Sequence, residues 1–216
     1  MSVFSPHIIR IRTATEKRLE VVTIRKGDFY FLIAISSAMA VFGLVLNNVT
    51  VVIGAMVVAP LVTPLFAFSL SLLILHFKRL SKSFIAIVLG TLVSLFVSYS
   101  VSLLVIMIEG KKIVLNTEIL SRAEPNLLYF FVALLAGMAG AFAYAKPRII
   151  ESVIGIAIAV AIIPPIAVSG IGLAIGDLLL AKQSFFLYVF NILGICLGSL
   201  LMFLSIGFGK QIDPDI

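Results

Sequence analysis

Val49-Thr-Val-Val-Ile-Gly-Ala-Met-Val-Val-Ala-Pro60-Leu-Val-Thr-Pro64-Leu-Phe-Ala-Phe-Ser-Leu-Ser-Leu-Leu-Ile-Leu75 is the stretch on which the fold turns. It carries no charged residue, and it is longer than the roughly 20 residues that cross a bilayer as a helix. Two prolines stand near its middle. Proline has no N–H and its ring crowds the carbonyl four residues back, so this is an apolar span with a break in it. In hydrocarbon the chain must be helical on both sides of the break, because a lone strand would leave its backbone groups unpaired.

Five further apolar runs flank it. The expected spans are 29–46, 49–75, 84–108, 127–145, 150–176 and 184–208. None has the period-two alternation of a membrane β-barrel. Composition agrees. Hydrophobic residues make up 62% of the 216, charged residues 12%, and the mean hydropathy is +1.23. A soluble domain carries about 25% charge to solvate its surface. The fold class is therefore all-α: a polytopic membrane bundle with a segment 1–28, a six-span domain 29–208 and a tail 209–216.

The net charge of +6 sits in short stretches between the runs, without a basic face interleaved with aromatics, so nucleic acid is not expected as a partner. Arg10, Arg12, Lys17, Arg18, Arg25, Lys26, Lys78, Arg79, Lys82, Lys146, Arg148 and Lys210 fall on one side of the expected topology, and Lys111, Lys112, Arg122 and Lys182 on the other. That asymmetry predicts a multi-pass protein of the plasma membrane with both termini cytoplasmic. The first 28 residues are too polar for a signal peptide, so the first run is expected to stay as an anchor. Thr13-Ala-Thr-Glu16 has capping-box spacing, which predicts a short basic interfacial helix over 14–25, with strand or disorder as alternatives.

Sliding the chain on itself by 101 residues brings Val52-Ile-Gly54 onto Val153-Ile-Gly155, Pro64 onto Pro165, Ser83-Phe84 onto Ser184-Phe185 and Phe29 onto Phe130. The fifth span is thus a second broken one, at Pro164 and Pro165. Each copy, 29–108 and 127–208, holds three spans. An odd number sends the second copy through the membrane inverted, a plan that recurs in transporters.

Broken spans place backbone dipoles at mid-membrane, half-helix N-termini suiting an anion and freed carbonyls a cation. The candidate binding residues for a small solute or ion are Pro60, Thr63, Pro64, Ser69, Pro164, Pro165, Ser169 and Asn191. His76 and Asp177 coincide under the repeat at span ends, as candidate gates or as solvated interface residues. No acidic or basic residue lies deep in a span, which disfavours a proton relay. The single Cys196 gives no intrachain disulfide, and no cofactor, metal cluster or catalytic constellation is expected. Gly170-Ile-Gly172 neither follows a strand nor opens a βαβ unit, so it is not a dinucleotide loop. The competing expectation is a non-transporting scaffold or sensor. Its glycines at spacings of three or four (Gly137 and Gly140, Gly172 and Gly176, Gly194 and Gly198) would pack helices into a homo-oligomer.

The runs Val52-Ile-Gly-Ala-Met-Val-Val-Ala-Pro60, Ser121-Arg-Ala-Glu-Pro-Asn-Leu-Leu128, Ala136-Gly-Met-Ala-Gly-Ala141 and Gly155-Ile-Ala-Ile-Ala-Val-Ala-Ile-Ile-Pro-Pro165 resemble the family catalogued as domain of unknown function 389. So do Val168-Ser-Gly-Ile-Gly-Leu-Ala-Ile-Gly-Asp177 and Asn191. The resemblance covers nearly all of 30–208. It implies a prokaryotic multi-span membrane protein and carries no substrate with it.

Overall fold

The computed structural model describes residues 11–17, 26–111, 113–124, 126–146 and 162–208. All of its regular structure is helical. In chain order the elements are α1 (residues 11–17), α2 (Lys26–Val45), α3 (Val49–Val58), α4 (Val62–Leu73), α5 (Phe77–Glu109), α6 (Thr117–Leu120), α7 (Leu127–Ala145), α8 (Ile163–Ile175) and α9 (Leu178–Ser205).

Among the described residues four helices, α2, α5, α7 and α9, are long and apolar enough to cross a membrane. The pair α3 and α4 makes a fifth span if counted as one, bent by 48° at its break. The expected spans 29–46 and 127–145 match α2 and α7 closely. Of the expected 150–176, only the part from 162 falls within the described residues, so the course of the fifth span before Pro164 lies outside them.

Two boundaries differ. Helix α5 starts at Phe77 and not near 84, because the His76 side chain caps its first turn by accepting from the Arg79 N–H, 3.4 Å away. Its 33 residues span about 50 Å, more than the ~30 Å hydrocarbon core, so Lys78, Arg79 and Lys82 ride on the helix beyond the apolar zone. Helix α9 likewise starts at Leu178, capped by Asp177, whose Oδ1 accepts from the Leu180 N–H at 2.9 Å.

The exterior is that of a protein dissolved in lipid. On α5 the large side chains Phe84, Leu92, Phe96 and Leu103 are exposed, whereas Ser83, Ser94, Ser98 and Ser102 are buried. In water that distribution would be inverted; in hydrocarbon, apolar groups gain nothing by turning inward and hydroxyls must.

The ends of the bundle are tied by polar contacts. Residues 11–17 are already helical, so Thr13 lies inside the helical segment and not at its N-cap; Thr15 Oγ1 donates back to the Ile11 carbonyl at 2.8 Å. Glu16 bridges Arg12 at 3.0 Å and Arg79 at 2.6 Å, which holds α1 against the start of α5. At the other end Asn116 donates to the Leu44 carbonyl at 2.7 Å and caps α6, while Asn47 Oδ1 accepts from Thr117 at 3.2 Å. The connection between α5 and α7 is thus tied to the bundle. Ile113, Ile119 and Ala123 are buried against the core and pin it to the end of α2.

The packing pairs elements across the chain. Helix α5 packs on α2, α4 and α8; α9 packs on α7, α8 and α4. So each long helix covers the short helix before it and the short helix of the other half. Positions 101 apart also share local geometry. Leu75 at φ 56° and Gly176 at φ 80° make the same left-handed turn, after which His76 N–H bonds the Ser71 carbonyl at 2.9 Å and Asp177 N–H the Gly172 carbonyl at 2.8 Å.

Candidate functional site

The break between α3 and α4 follows from its residues. Helix α3 ends at Val58, and Ala59 turns extended at φ −74°, ψ 120°. Pro60 has no N–H to offer the Met56 carbonyl, so the helix cannot continue. The chain re-enters helix at Val62, where the Thr63 N–H bonds the Pro60 carbonyl at 3.3 Å. Pro64 is tolerated because it sits in a first turn, whose N–H groups have no helical partner in any case. Pro164 and Pro165 occupy the matching first turn of α8, and both are buried. One carbonyl of α3 is answered by a side chain: Ser36 Oγ donates to Ala55 at 2.6 Å.

The hydroxyls predicted to line a site are buried but distributed over separate helix seams. Thr63 Oγ1 lies 2.9 Å from the Tyr144 hydroxyl of α7, whose ring stands edge-on to Phe66, centroids 5.3 Å apart. Ser69 lies 3.1 Å from the carbonyls of Leu65 and Cys196 and 2.8 Å from the Ser199 hydroxyl of α9. Ser169 donates to the Ala181 carbonyl at 2.8 Å, tying α8 to α9. Asn191 is buried within α9. His76 and Asp177, the candidate gates, cap α5 and α9. Among the described residues no group of three His, Cys, Asp or Glu side chains stands close enough to hold a metal.

The contacts of Ser69 give a measurable energy. A net buried hydrogen bond contributes about 1 kcal/mol, so Ser69→Ala and Ser199→Ala should each lower the melting temperature of the detergent-solubilised protein. The double variant should lose less than the sum of the two. Strict additivity would mean that the hydroxyls do not interact.

Sequence reasoning missed the polar residues of the third span. Ser94, Ser98 and Ser102 form a buried stripe on α5 at four-residue spacing, and Ser94 meets Ser37 of α2 at 2.8 Å. Thr91 and Tyr188 join their hydroxyls between α5 and α9. The spacing of the serines was the available signal: residues four apart share a helix face.

The glycines are used inside the chain. A Cβ on Gly198 would run into the Leu134 carbonyl oxygen, and one on Gly140 into the Phe66 ring. Gly170 lies so close to α5 that a Cβ there would sit 2.9 Å from the Tyr99 nitrogen. Gly137 and Gly194 likewise face α9 and α7, within the fold.

The model of one protein family, Domain of unknown function (DUF389), matches residues 56–197. The chain belongs to the DUF389 family. The match opens in the last turn of α3 and closes within α9, so both proline sites, the serine stripe of α5 and Asn191 fall inside the DUF389 region. An uncharacterized protein of Methanocaldococcus jannaschii is 27% identical over 191 residues, which cover 87% of this chain and 57% of that protein. The chain thus spans a little over half the length of this relative. No solved structure matches it.

Proposed function

We propose that this DUF389 protein is a transporter or channel-like protein for a small solute or ion, and not an enzyme. It is built from two inverted three-span halves, with the path at the α3–α4 break and beside Pro164 and Pro165 in the first turn of α8. The observation that carries the reading is the 48° break in an otherwise apolar span. Irregular backbone at membrane depth is tolerated only where protein or a polar path receives it.

The inverted repeat draws support from reciprocal contacts. Ser69 meets Ser199, and Gly170 meets Ser98: the same pair with the two halves exchanged, since 69 and 170, like 98 and 199, are 101 apart. A topology with both termini cytoplasmic in the plasma membrane is supported by the Glu16–Arg79 bridge, which puts the N-terminal segment and the basic α4–α5 turn at one end. The Asn47–Thr117 contact puts the α2–α3 turn and the 109–126 connection together at the other. The partners are the lipid bilayer and the permeating species. The inward-facing glycines argue against a scaffold that assembles through them.

Purified protein in liposomes, assayed for flux of monovalent ions and small neutral solutes, tests the proposal. Flux above that of empty liposomes is expected. Folded protein giving none across the panel would overturn it. Thr63→Ala and Asn191→Ala should each cut the flux about tenfold, as loss of one hydrogen bond of about 1–1.5 kcal/mol to the permeating species does. Unchanged kinetics in both would remove these residues from the path.

A further inference from the structure

The two reciprocal seams are not equivalent, and the difference marks one side of the bundle. Where α4 crosses α9, the Ser199 hydroxyl is satisfied by Ser69 Oγ at 2.8 Å and by the Cys196 carbonyl at 3.0 Å. Where α8 crosses α5, the counterpart of Ser69 is Gly170, which brings no hydroxyl. The Ser98 side chain opposite it is 0% exposed, and its Oγ has no hydrogen-bond partner among the described residues. A second hydroxyl in the same condition also flanks α8. Ser184 lies on α9 one turn beyond Ala181, which accepts from Ser169, and it too is 0% exposed with no partner for its Oγ among the described residues. A buried hydroxyl without a partner is destabilising, and serine can usually avoid that by bonding its own helix, as Ser102 does to the Ser98 carbonyl at 2.7 Å. Two such groups on the two helices that enclose α8 are therefore notable, and α8 is the half-helix that opens on Pro164 and Pro165.

We propose that Ser98 and Ser184 are contacts for the permeating species, which passes along α8. This rests on the transport reading above and adds the side of the bundle and the class of ligand. The class follows from the lining. From Ser83 to Ile108 of α5, throughout α8 and from Ser184 to Ser205 of α9 there is no Asp, Glu, Lys or Arg. An ion with two or more charges would be desolvated there without a counter-charge, which is prohibitively unfavourable. Desolvation cost grows with the square of the charge, so a species with at most one charge pays far less, and one small enough to exchange water for hydroxyl and carbonyl contacts can recover it.

Single cysteines read this out while the substrate is still unidentified. In a Cys196→Ser background, Ser98→Cys, Ser184→Cys and Ser199→Cys are each reconstituted. They are then treated with a trimethylammonium-ethyl methanethiosulfonate, a singly charged reagent that reacts with thiolates and so only where water reaches. Labelling at 98 and 184 is expected to be about tenfold faster than at 199, because only a hydrated thiol ionises readily. Equal rates at all three, or none at 98 and 184, overturn the proposal. Ser98→Ala and Ser184→Ala give an independent reading in the melting temperature. Removal of a hydroxyl kept for a ligand leaves it unchanged or raises it, whereas a drop as large as that of Ser199→Ala would make these serines packing groups and overturn the assignment. Liposome flux separates the two claims: flux with no labelling retains transport and discards the α8 path, and labelling with no flux keeps a hydrated path while discarding transport.

Discussion

Gly198→Val is expected to prevent folded protein from accumulating. Helices α7 and α9 approach so closely that a β-carbon at 198 would collide with the Leu134 carbonyl oxygen. That obstacle is backbone and cannot swing aside as a side chain can. Overpacking a well-filled interior typically costs about 1–3 kcal/mol when side chains yield; here a helix must shift, so the loss should sit at or above the top of that range. A shift at 198 also disturbs Gly194, where a β-carbon would likewise meet Ala133 and the Phe130 carbonyl on the same seam. The check is the yield of monodisperse protein in detergent and its melting temperature. A variant that matched the parent in both would show that α7 and α9 are not packed as described.

The Pro60→Ala, Pro64→Ala double variant should have the opposite character: folded, and transporting poorly. Both substitutions return an N–H to the chain, which lets the 49–75 stretch approach one continuous helix and reduces the 48° bend. The Met56 carbonyl gains the partner that Pro60 denies it. Flux in liposomes should fall about tenfold or more, since binding geometry at the break is lost, while the thermal transition stays cooperative. Undiminished flux with a cooperative transition would mean that the break takes no part in transport.

The sequence and the structure agree where the signal is local or periodic. Helices α2 and α7 lie open to reading because their apolar runs are bounded by Asp28, Asn126 and Lys146. The break at Pro60 is legible from the covalent chemistry of proline. The 101-residue offset, suggested by Pro64 and Pro165, recurs at Leu75 and Gly176, two different residues in one turn conformation. What stays hidden depends on partners distant in the chain. His76 and Asp177 align in the repeat, and charge and placement leave them as gates or solvated interface residues; the cap that each forms, accepting an N–H three residues on, is a shared feature only the structure adds. Hydropathy sets the starts of α5 and α9 too late because it falls at a charged turn while the helix, held by those caps, does not end there. Thr63 meets Tyr144, and Ser69 meets Ser199, across separations that no spacing rule connects. The serines of α5 carry a visible four-residue period, yet in an apolar span a serine reads as filler until its neighbours are known.

The exchanged packing of the long helices bears on how the protein is made. Ser98 lies against Gly170, so α5 is completed well before the helix that covers this hydroxyl has been synthesised, whereas Ser94 already has Ser37 of α2. At about 5–20 residues per second, that interval is on the order of ten seconds. Throughout it, a nascent chain ending soon after α5 would hold the Ser98 hydroxyl against acyl chains. Such an intermediate calls for a sheltered groove in the insertion machinery, and release of the first half into free lipid before the second arrives would strand it off the productive route.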